Sequence, residues 1–333
     1  MRKSTSSRKI SVAPMMDCTD RHCRFFMRLL APHVRLYTEM IPAAALTRGD
    51  ASRLLAFDPA EHPVALQLGG AEPGELAAAA RVGAAAGYDE INLNVGCPSD
   101  RVQSGRFGAC LMAVPDRVAA CVSAMRDAVA LPVTVKCRTG IDEQDSYQFL
   151  RAFIESVAQA GCDVFIVHAR KAILSGLSPK ENREVPPLDY DRVYRLKSEF
   201  EQLTIVVNGG IASPGEVEGH LHSVDGVMLG REAYRNPYLL CELEATLLGG
   251  ANPPPRRQVL IDFLPYVQAR LRAGARLHHL TRHILGLYAG EPGARRWRRF
   301  IAERAHEPGA GCEVLIESLA LVDQGTDADR FRA

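Results

Sequence analysis

The chain has 333 residues, 47% hydrophobic and 24% charged, the composition of a soluble globular protein with material for one large domain and a smaller one. Its net charge of +1 argues weakly against nucleic acid as a partner, although an even total can conceal a local basic face. No apolar run reaches the roughly 18 residues that span a bilayer, and nine cysteines without a Cys-x-x-Cys pair fit neither a disulfide framework nor the usual zinc spacings, so a reducing, cytoplasmic compartment is expected, with no membrane and no metal.

Residues 1–9, basic and serine-rich, predict a disordered tail, and the Ile10-Ser-Val-Ala-Pro14 that follows is too short for the apolar part of a signal peptide. Eight aliphatic or β-branched runs then recur, each followed by a helix-like segment: Ile10–Ala13, Val34–Met40, Pro63–Leu68, Glu90–Val95, Pro132–Cys137, Asp163–His168, Leu203–Val207 and Gly226–Leu229. Short strands joined by alanine-rich or amphipathic stretches predict helical crossovers between parallel strands. Eight such units within residues 10–248 predict a (β/α)8 TIM barrel. A doubly wound open sheet shares this alternation and stays open as an alternative, because strand order is not written in the sequence. Gly249-Gly-Ala-Asn-Pro-Pro-Pro255 cannot continue a helix and predicts a linker over 249–255. Beyond it, residues 256–333 carry apolar side chains at helical spacing in Val259–Leu271, Leu280–Leu287, Trp297–Ala302 and Val314–Val322, which predicts a small helical bundle.

The ends of the predicted strands carry the chemistry, since in a barrel they converge on one mouth. Asn92-Leu-Asn-Val-Gly-Cys-Pro98 places a thiol just past a strand, with Gly96 and Pro98 breaking the extended run on either side. An isolated buried cysteine is more often inert, but this setting makes Cys97 the candidate catalyst. Asn208-Gly-Gly210 and Gly230-Arg231 follow the seventh and eighth runs, where barrels build phosphate cradles from backbone N–H groups, and Arg231 adds charge-assisted hydrogen bonds. Neither a Walker lysine motif nor a Gly-x-Gly-x-x-Gly after the first strand is present, so a phosphate-bearing cofactor across the barrel mouth is the remaining reading. Lys136 and Gln67 suit the electron-rich edge of a flavin, and His168 its ring or phosphate. A salt bridge for Lys136 and a hydrogen-bonded core imidazole for His168 are the structural alternatives. Between Arg270 and Arg304 nine arginines stand against two acidic residues, and Arg295, Arg296, Arg298 and Arg299 flank the only tryptophan, a combination suited to phosphate contact with base stacking.

Ala13-Pro-Met-Met-Asp17, Gln67-Leu-Gly-Gly70, Asn92-Leu-Asn-Val-Gly-Cys-Pro-Ser99, Val135-Lys-Cys-Arg138, His168-Ala-Arg170, Asn208-Gly-Gly210 and Gly230-Arg231 together resemble the tRNA-dihydrouridine synthases. Gly176-Leu-Ser-Pro-Lys-Glu-Asn-Arg183 and Gly293-Ala-Arg-Arg-Trp-Arg-Arg299 resemble the DusA branch, which reduces uridines 20 and 20a of the tRNA D-loop; Cys18, where that branch usually carries tryptophan, departs from it. The resemblance implies an FMN held by Pro14, Met15, Met16, Gln67, Lys136, His168, Asn208, Gly209, Gly210, Gly230 and Arg231, with NADPH as electron donor. It implies Cys97 as proton donor, Asn94 at the target nucleotide, and tRNA contacts through Lys180, Arg183, Arg296 and Arg299 of a monomeric enzyme whose residues 256–333 grip the RNA. A thiol suits the acid role because it keeps its proton at neutral pH yet releases it readily, whereas a carboxylic acid is already ionised. A flavin barrel acting on a free pyrimidine, like the dihydroorotate dehydrogenases, is the rival, and the arginine-rich region argues against it.

Overall fold

The aliphatic runs form strands and the intervening amphipathic runs form helices in a computed structural model that describes residues 8–49 and 51–322. The strands are β1 (Ile10–Val12), β2 (Leu36–Tyr37), β3 (Ile41–Pro42), β4 (Val64–Gly69), β5 (Glu90–Val95), β6 (Val133–Arg138), β7 (Val164–His168), β8 (Thr204–Asn208) and β9 (Gly226–Leu229). All pair in parallel, in the order β1-β9-β8-β7-β6-β5-β4-β2, with β3 also on β4. The Val12 N–H donates to the Arg35 carbonyl at 2.9 Å and the Arg35 N–H to the Ile10 carbonyl at 3.2 Å, so the first strand meets the second and the sheet closes into a TIM barrel. That closure excludes the open sheet.

The run expected as one strand over Val34–Met40 is broken. Tyr37 pairs with Ala65 but Ile41 pairs with Leu68, so the strand fits one more residue than its partner between these pairs, as at a β-bulge. The expected disordered tail over residues 1–9 is corrected at its last two residues. Residues 1–7 lie outside the described residues, but Arg8 reaches the buried Glu90 at 2.6 Å and the Lys9 carbonyl accepts from the Val227 N–H at 2.9 Å.

The chain divides into two compact units: the described residues of Met1–Thr19 with Val34–Gly230, and those of Asp20–His33 with Arg231–Ala333. Helix α1 (Arg21–Leu30) belongs to the second, whereas α2 (Ala43–Thr47), α3 (Pro73–Ala85), α4 (Asp100–Ser104), α5 (Pro115–Ala128), α6 (Tyr147–Gln159), α7 (Tyr190–Glu199) and α8 (Pro214–Leu221) belong to the barrel unit. Outward-facing barrel side chains meet these helices closely: a Cβ on Gly83 of α3 would lie 2.4 Å from Leu66 and 3.0 Å from Ile91. The barrel interior is filled by Ala13, Tyr37, Ala65, Val164, Ile166, Val206 and Met228, with Met15 packed against them.

The second unit adds α9 (Arg231–Arg235), α10 (Leu239–Leu247), α11 (Arg256–Arg272), α12 (Leu277–Thr281), α13 (Ala294–Arg304) and α14 (Cys312–Leu319). The division therefore falls elsewhere than at the expected linker. Residues 249–255 lie on the surface of this unit and are tied to it, since the Pro254 carbonyl accepts from the Tyr238 hydroxyl at 2.9 Å and the Gly250 N–H donates to the Glu244 carbonyl at 3.0 Å. Helix α1, expected within the barrel region, instead stacks on α11: the Phe25 and Tyr266 rings are 3.8 Å apart and those of Phe26 and Phe263 5.4 Å. Asp20 caps α1 by accepting from the His22 and Cys23 N–H groups, and its carboxylate also meets Arg282 at 2.7 Å and His283 at 3.0 Å.

Among the described residues no helix is long and apolar enough to cross a membrane, and no cluster of His, Cys, Asp and Glu suits a metal. All nine cysteines are free.

Candidate active site

Period-two alternation turns Glu90, Asn92 and Asn94 of β5 to one face and Ile91, Leu93 and Val95 to the other. The polar set is buried, which is costly unless each group finds a partner. Each does. Tyr37 Oη and Thr134 Oγ1 donate to Glu90 at 2.9 and 2.6 Å, and Asn92 Nδ2 donates to Thr134 Oγ1 at 2.8 Å. Gln67 Nε2 donates to Asn92 Oδ1 at 2.7 Å, and Asn94 Nδ2 donates to Gln67 Oε1 at 2.9 Å. The last member of this chain sets the turn after the strand, because Asn94 Oδ1 accepts from the Gly96 N–H at 3.1 Å and from the Cys97 N–H at 2.9 Å. Asn94, expected at the target nucleotide, thus has both ends of its amide engaged, Nδ2 on the Gln67 side chain and Oδ1 on the backbone of the thiol's turn.

Cys97 is partly exposed at the C-terminal end of the barrel, with Sγ 3.4 Å from Ser99 Oγ. Its carbonyl accepts from the Ala109 N–H at 2.9 Å, and Gly108, at φ +77°, permits that approach, since a Cβ there would stand 2.5 Å from the Cys97 oxygen. On the adjoining strand Asn94 pairs with Lys136 and Val95 with Cys137. The sulfur is close enough to Lys136 and Arg138 that a thiolate there would favour their charged forms.

Lys136 is half-buried, and its Nζ donates to Asn208 Oδ1 at 3.1 Å. No carboxylate pairs with it among the described residues, which removes the salt-bridge reading; burial, and then the nearby Arg138, push its pKa down to about 8. Asn208 is oriented by donating from Nδ2 to the Met228 carbonyl at 2.7 Å. His168 is neutral: burial first, then the positive charges of Arg138, Lys136, Arg170 and Arg183, hold its pKa well below the ordinary imidazole value. Positive charges gathered around a buried, neutral imidazole are a setting for an anion.

Gly209 and Gly210 follow β8 with φ of +117° and +76°, in the left-handed region that disfavours any other side chain. A Cβ on Gly209 would lie 2.6 Å from the His168 ring, and one on Gly210 would lie 2.6 Å from Leu188. No acceptor for the N–H groups of these two glycines is found among the described residues, while the Gly209 carbonyl accepts from Tyr190 Oη at 2.6 Å. Gly230, after β9, has open space where a Cβ would be. Two backbone donors without acceptors beside a cationic strand end fit a phosphate. At the end of β1, Pro14 is half-buried, Met15 packs on the barrel interior and Met16 is 56% exposed.

The barrel unit thus brings together Cys97, Asn94, Gln67, Lys136, His168, Asn208, Gly209, Gly210 and Gly230, and the loop after β7 carries Lys180 and Arg183, both exposed. Arg231, Arg296 and Arg299 belong to the second unit, where Arg231 opens α9. On α13, Arg295, Arg296, Arg298 and Arg299 are exposed, but Trp297 is 0% exposed, donates from Nε1 to Ser318 Oγ at 3.0 Å and packs on Tyr288. The expected stacking role of the tryptophan is therefore corrected: it is a core residue of the second unit. Arg138 and Gln103 had no assigned role, yet both touch the thiol's loop. Arg138 Nε donates to the Gly96 carbonyl at 3.1 Å, and Gln103 Nε2 donates to the Pro98 carbonyl at 2.8 Å. The alternation of Thr134, Lys136 and Arg138 marked the first of these; nothing local marked Gln103.

A family model described as dihydrouridine synthase (Dus) matches residues 11–321. Proteins named tRNA-dihydrouridine(20/20a) synthase are similar along nearly their whole length. That of Vibrio vulnificus is 57% identical over 325 residues, covering 97% of this chain and 99% of the relative. That of Xanthomonas campestris is 58% identical over 317 residues, with 95% and 94% covered. The Escherichia coli protein is 55% identical over 318 residues, with 95% and 92% covered.

Proposed function

Because this chain belongs to the dihydrouridine synthase family, we propose that it reduces the C5–C6 double bond of uridine in the tRNA D-loop, at positions 20 and 20a, using FMN recharged by NADPH. The observation that carries this reading is the thiol of Cys97, pinned by Asn94 at the C-terminal barrel end beside Lys136 and Arg138.

The residues present fit a flavin mononucleotide. Gly209 and Gly210 offer backbone donors to its phosphate, with Gly230 and Arg231 beyond them in the chain. Lys136 and Gln67 bind its electron-rich edge, His168 and Asn208 supply neutral hydrogen-bonding groups, and Pro14, Met15 and Met16 supply apolar surface. When bound, the FMN supplies the hydride that reaches C6 of uracil. Cys97 gives its S–H proton to C5, the C5–H bond forms as the S–H bond breaks, and the thiolate is reprotonated from solvent. Over a cycle, uridine, NADPH and one proton become dihydrouridine and NADP+.

The target base has to leave its stack to reach the barrel mouth. Asn94 faces it from β5, Lys180 and Arg183 hold the backbone from the loop after β7, and Arg296 and Arg299 do so from α13 in a helical tRNA-binding region. The enzyme acts as a monomer in the cytoplasm, a reducing compartment that suits nine free cysteines.

The test is to incubate the protein with unmodified tRNA transcript, FMN and NADPH and to map by mass spectrometry which uridines gain two hydrogens. Gain in the D-loop, and none in free uridine, is expected. Cys97→Ala should keep the flavin absorbance yet turn over roughly 10²- to 10⁴-fold more slowly, the usual worth of a positioned acid. Unchanged turnover in that variant would remove the thiol from the mechanism.

A further inference from the structure

The two carbonyls that flank Cys97 in the chain are both tied, by different side chains, to one neighbouring loop. On one side, Arg138 donates from Nε to the Gly96 carbonyl at 3.1 Å and from Nη1 to the carbonyls of Lys171 and Asn182 at 3.2 and 2.9 Å. On the other, the single amide nitrogen of Gln103 donates to the Pro98 carbonyl at 2.8 Å and to the Leu174 carbonyl at 2.7 Å. Lys171, Leu174 and Asn182 all belong to the segment after β7 that bears Lys180 and Arg183.

That segment is braced internally. Asn182 is 0% exposed, donates from Nδ2 to the carbonyls of Ile173 and Leu177 at 2.8 and 3.2 Å, and accepts from the Ile173 N–H at 2.7 Å. Asp142 Oδ1 accepts from the Leu174 N–H at 2.8 Å. A loop stiffened in this way shifts as one body, so a displacement at its exposed lysine and arginine is carried to Lys171, Leu174 and Asn182. Arg138 is 4% exposed and pairs with no carboxylate among the described residues, although a buried guanidinium is normally stabilised by one. Its position is explained by the carbonyls it joins.

We propose that Gln103 and Arg138 latch the Cys97 turn to the loop after β7, so that RNA engaged by Lys180 and Arg183 sets where the thiol delivers its proton. Gln103 is a positioning residue in this scheme: it touches neither base nor flavin and acts through the peptide that follows Cys97. The scheme rests on the uridine-reducing reading above.

The test uses the holoenzyme and Gln103→Met, which keeps the side-chain length but has no N–H donor, with Gln103→Glu as a second variant that also lacks one. Four quantities are measured: kcat and KM on the tRNA transcript, NADPH oxidation without RNA, and the rate at which iodoacetamide alkylates Cys97, read by peptide mass spectrometry with Cys312 as internal control. A misplaced reacting group costs rate rather than affinity, so both variants should lose roughly 10- to 100-fold in kcat with KM within about threefold. NADPH oxidation should not move. Cys97, released from its brace, should be alkylated several-fold faster while Cys312 is unaffected. In a double-mutant cycle, Arg183→Ala should lower kcat less once Gln103 is Met than in the wild type, because only the Arg138 tie then remains. Variants with kcat and Cys97 alkylation both within twofold of wild type would overturn the latch and leave the functional reading intact. A wild-type protein that forms no dihydrouridine would count against that reading, and the alkylation comparison would still decide whether the brace exists.

Discussion

Lys136 has three N–H donors and one recorded acceptor, Asn208 at 3.1 Å, which is a poor arrangement for stability and a useful one for a ligand with a negative edge. Burial brings its pKa from the ordinary 10.5 to about 8. Between those two values the unfolded chain binds the proton and the folded one does not, so stability rises with pH across that window and the full cost of the buried ammonium is present below it. Lys136→Met should therefore raise the melting midpoint by roughly 2–4 °C at pH 7, with the gain fading toward alkaline pH, while reduction of the flavin by NADPH slows. In the wild type that reduction should decline as pH rises through about 8, where the cation is lost. A flat profile up to pH 10 would show that the charge does not assist. At this scale the sequence was informative where a polar or glycine residue ended a strand, as at Cys97, Lys136, His168 and Gly209. It was silent where a residue acts on a distant backbone, as with Gln103, whose two carbonyl partners include one at Leu174.

Helix α13 shows what periodicity reveals and what it conceals. Its spacing marked Trp297 and Ile301 as one face and the arginines as the other, but the clustering of arginines around an aromatic was equally compatible with a stacking surface. Only the partners decide: Trp297 lies against Tyr288, with its N–H on Ser318. Trp297→Ala should cost about 3–5 kcal/mol, the range for emptying a large aromatic site, and lower the urea midpoint. Arg296→Ala should leave that midpoint unchanged and weaken tRNA binding instead. Equal loss of stability in the two variants would show that the helix has no separable faces. Strands were legible for a related reason. The runs Glu90–Val95 and Gly226–Leu229 have the expected bounds, because a strand buried on both sides is bounded by the turns that end it. Helix α1 was legible as an amphipathic segment, yet nothing in its pattern says that Phe25 and Phe26 meet Tyr266 and Phe263, some 240 residues away in sequence.

A net charge of +1 hides an uneven distribution over the molecule. The exposed cations Lys180 and Arg183 stand on the barrel unit, and five exposed arginines of α13, Arg295, Arg296, Arg298, Arg299 and Arg304, stand on the second. Removing residues 256–333 is not a clean way to ask what the second unit does, since α11 supplies the rings on which α1 packs, and α1 lies near the start of the chain. Surface substitutions avoid that difficulty. Each phosphate contact that releases a counterion contributes about 0.7–0.9 to the slope of log affinity against log salt. If both sets of cations touch phosphates, Lys180→Ala with Arg183→Ala, and separately Arg296→Ala with Arg299→Ala, should each lower the slope for tRNA by roughly 1.4–1.8. The two pairs stand on different units, so the fourfold variant should show the sum, near 3 in slope. NADPH oxidation without RNA should be unaffected by the α13 pair, because the free dinucleotide does not need a surface built for a polyanion. Arg299 already has an exposed partner in Glu303 at 2.7 Å, and water competes with that pair, so it should not prevent the arginine from meeting a phosphate. A slope unchanged by the α13 pair would make those arginines a solvated helix face and confine the RNA grip to the barrel loop.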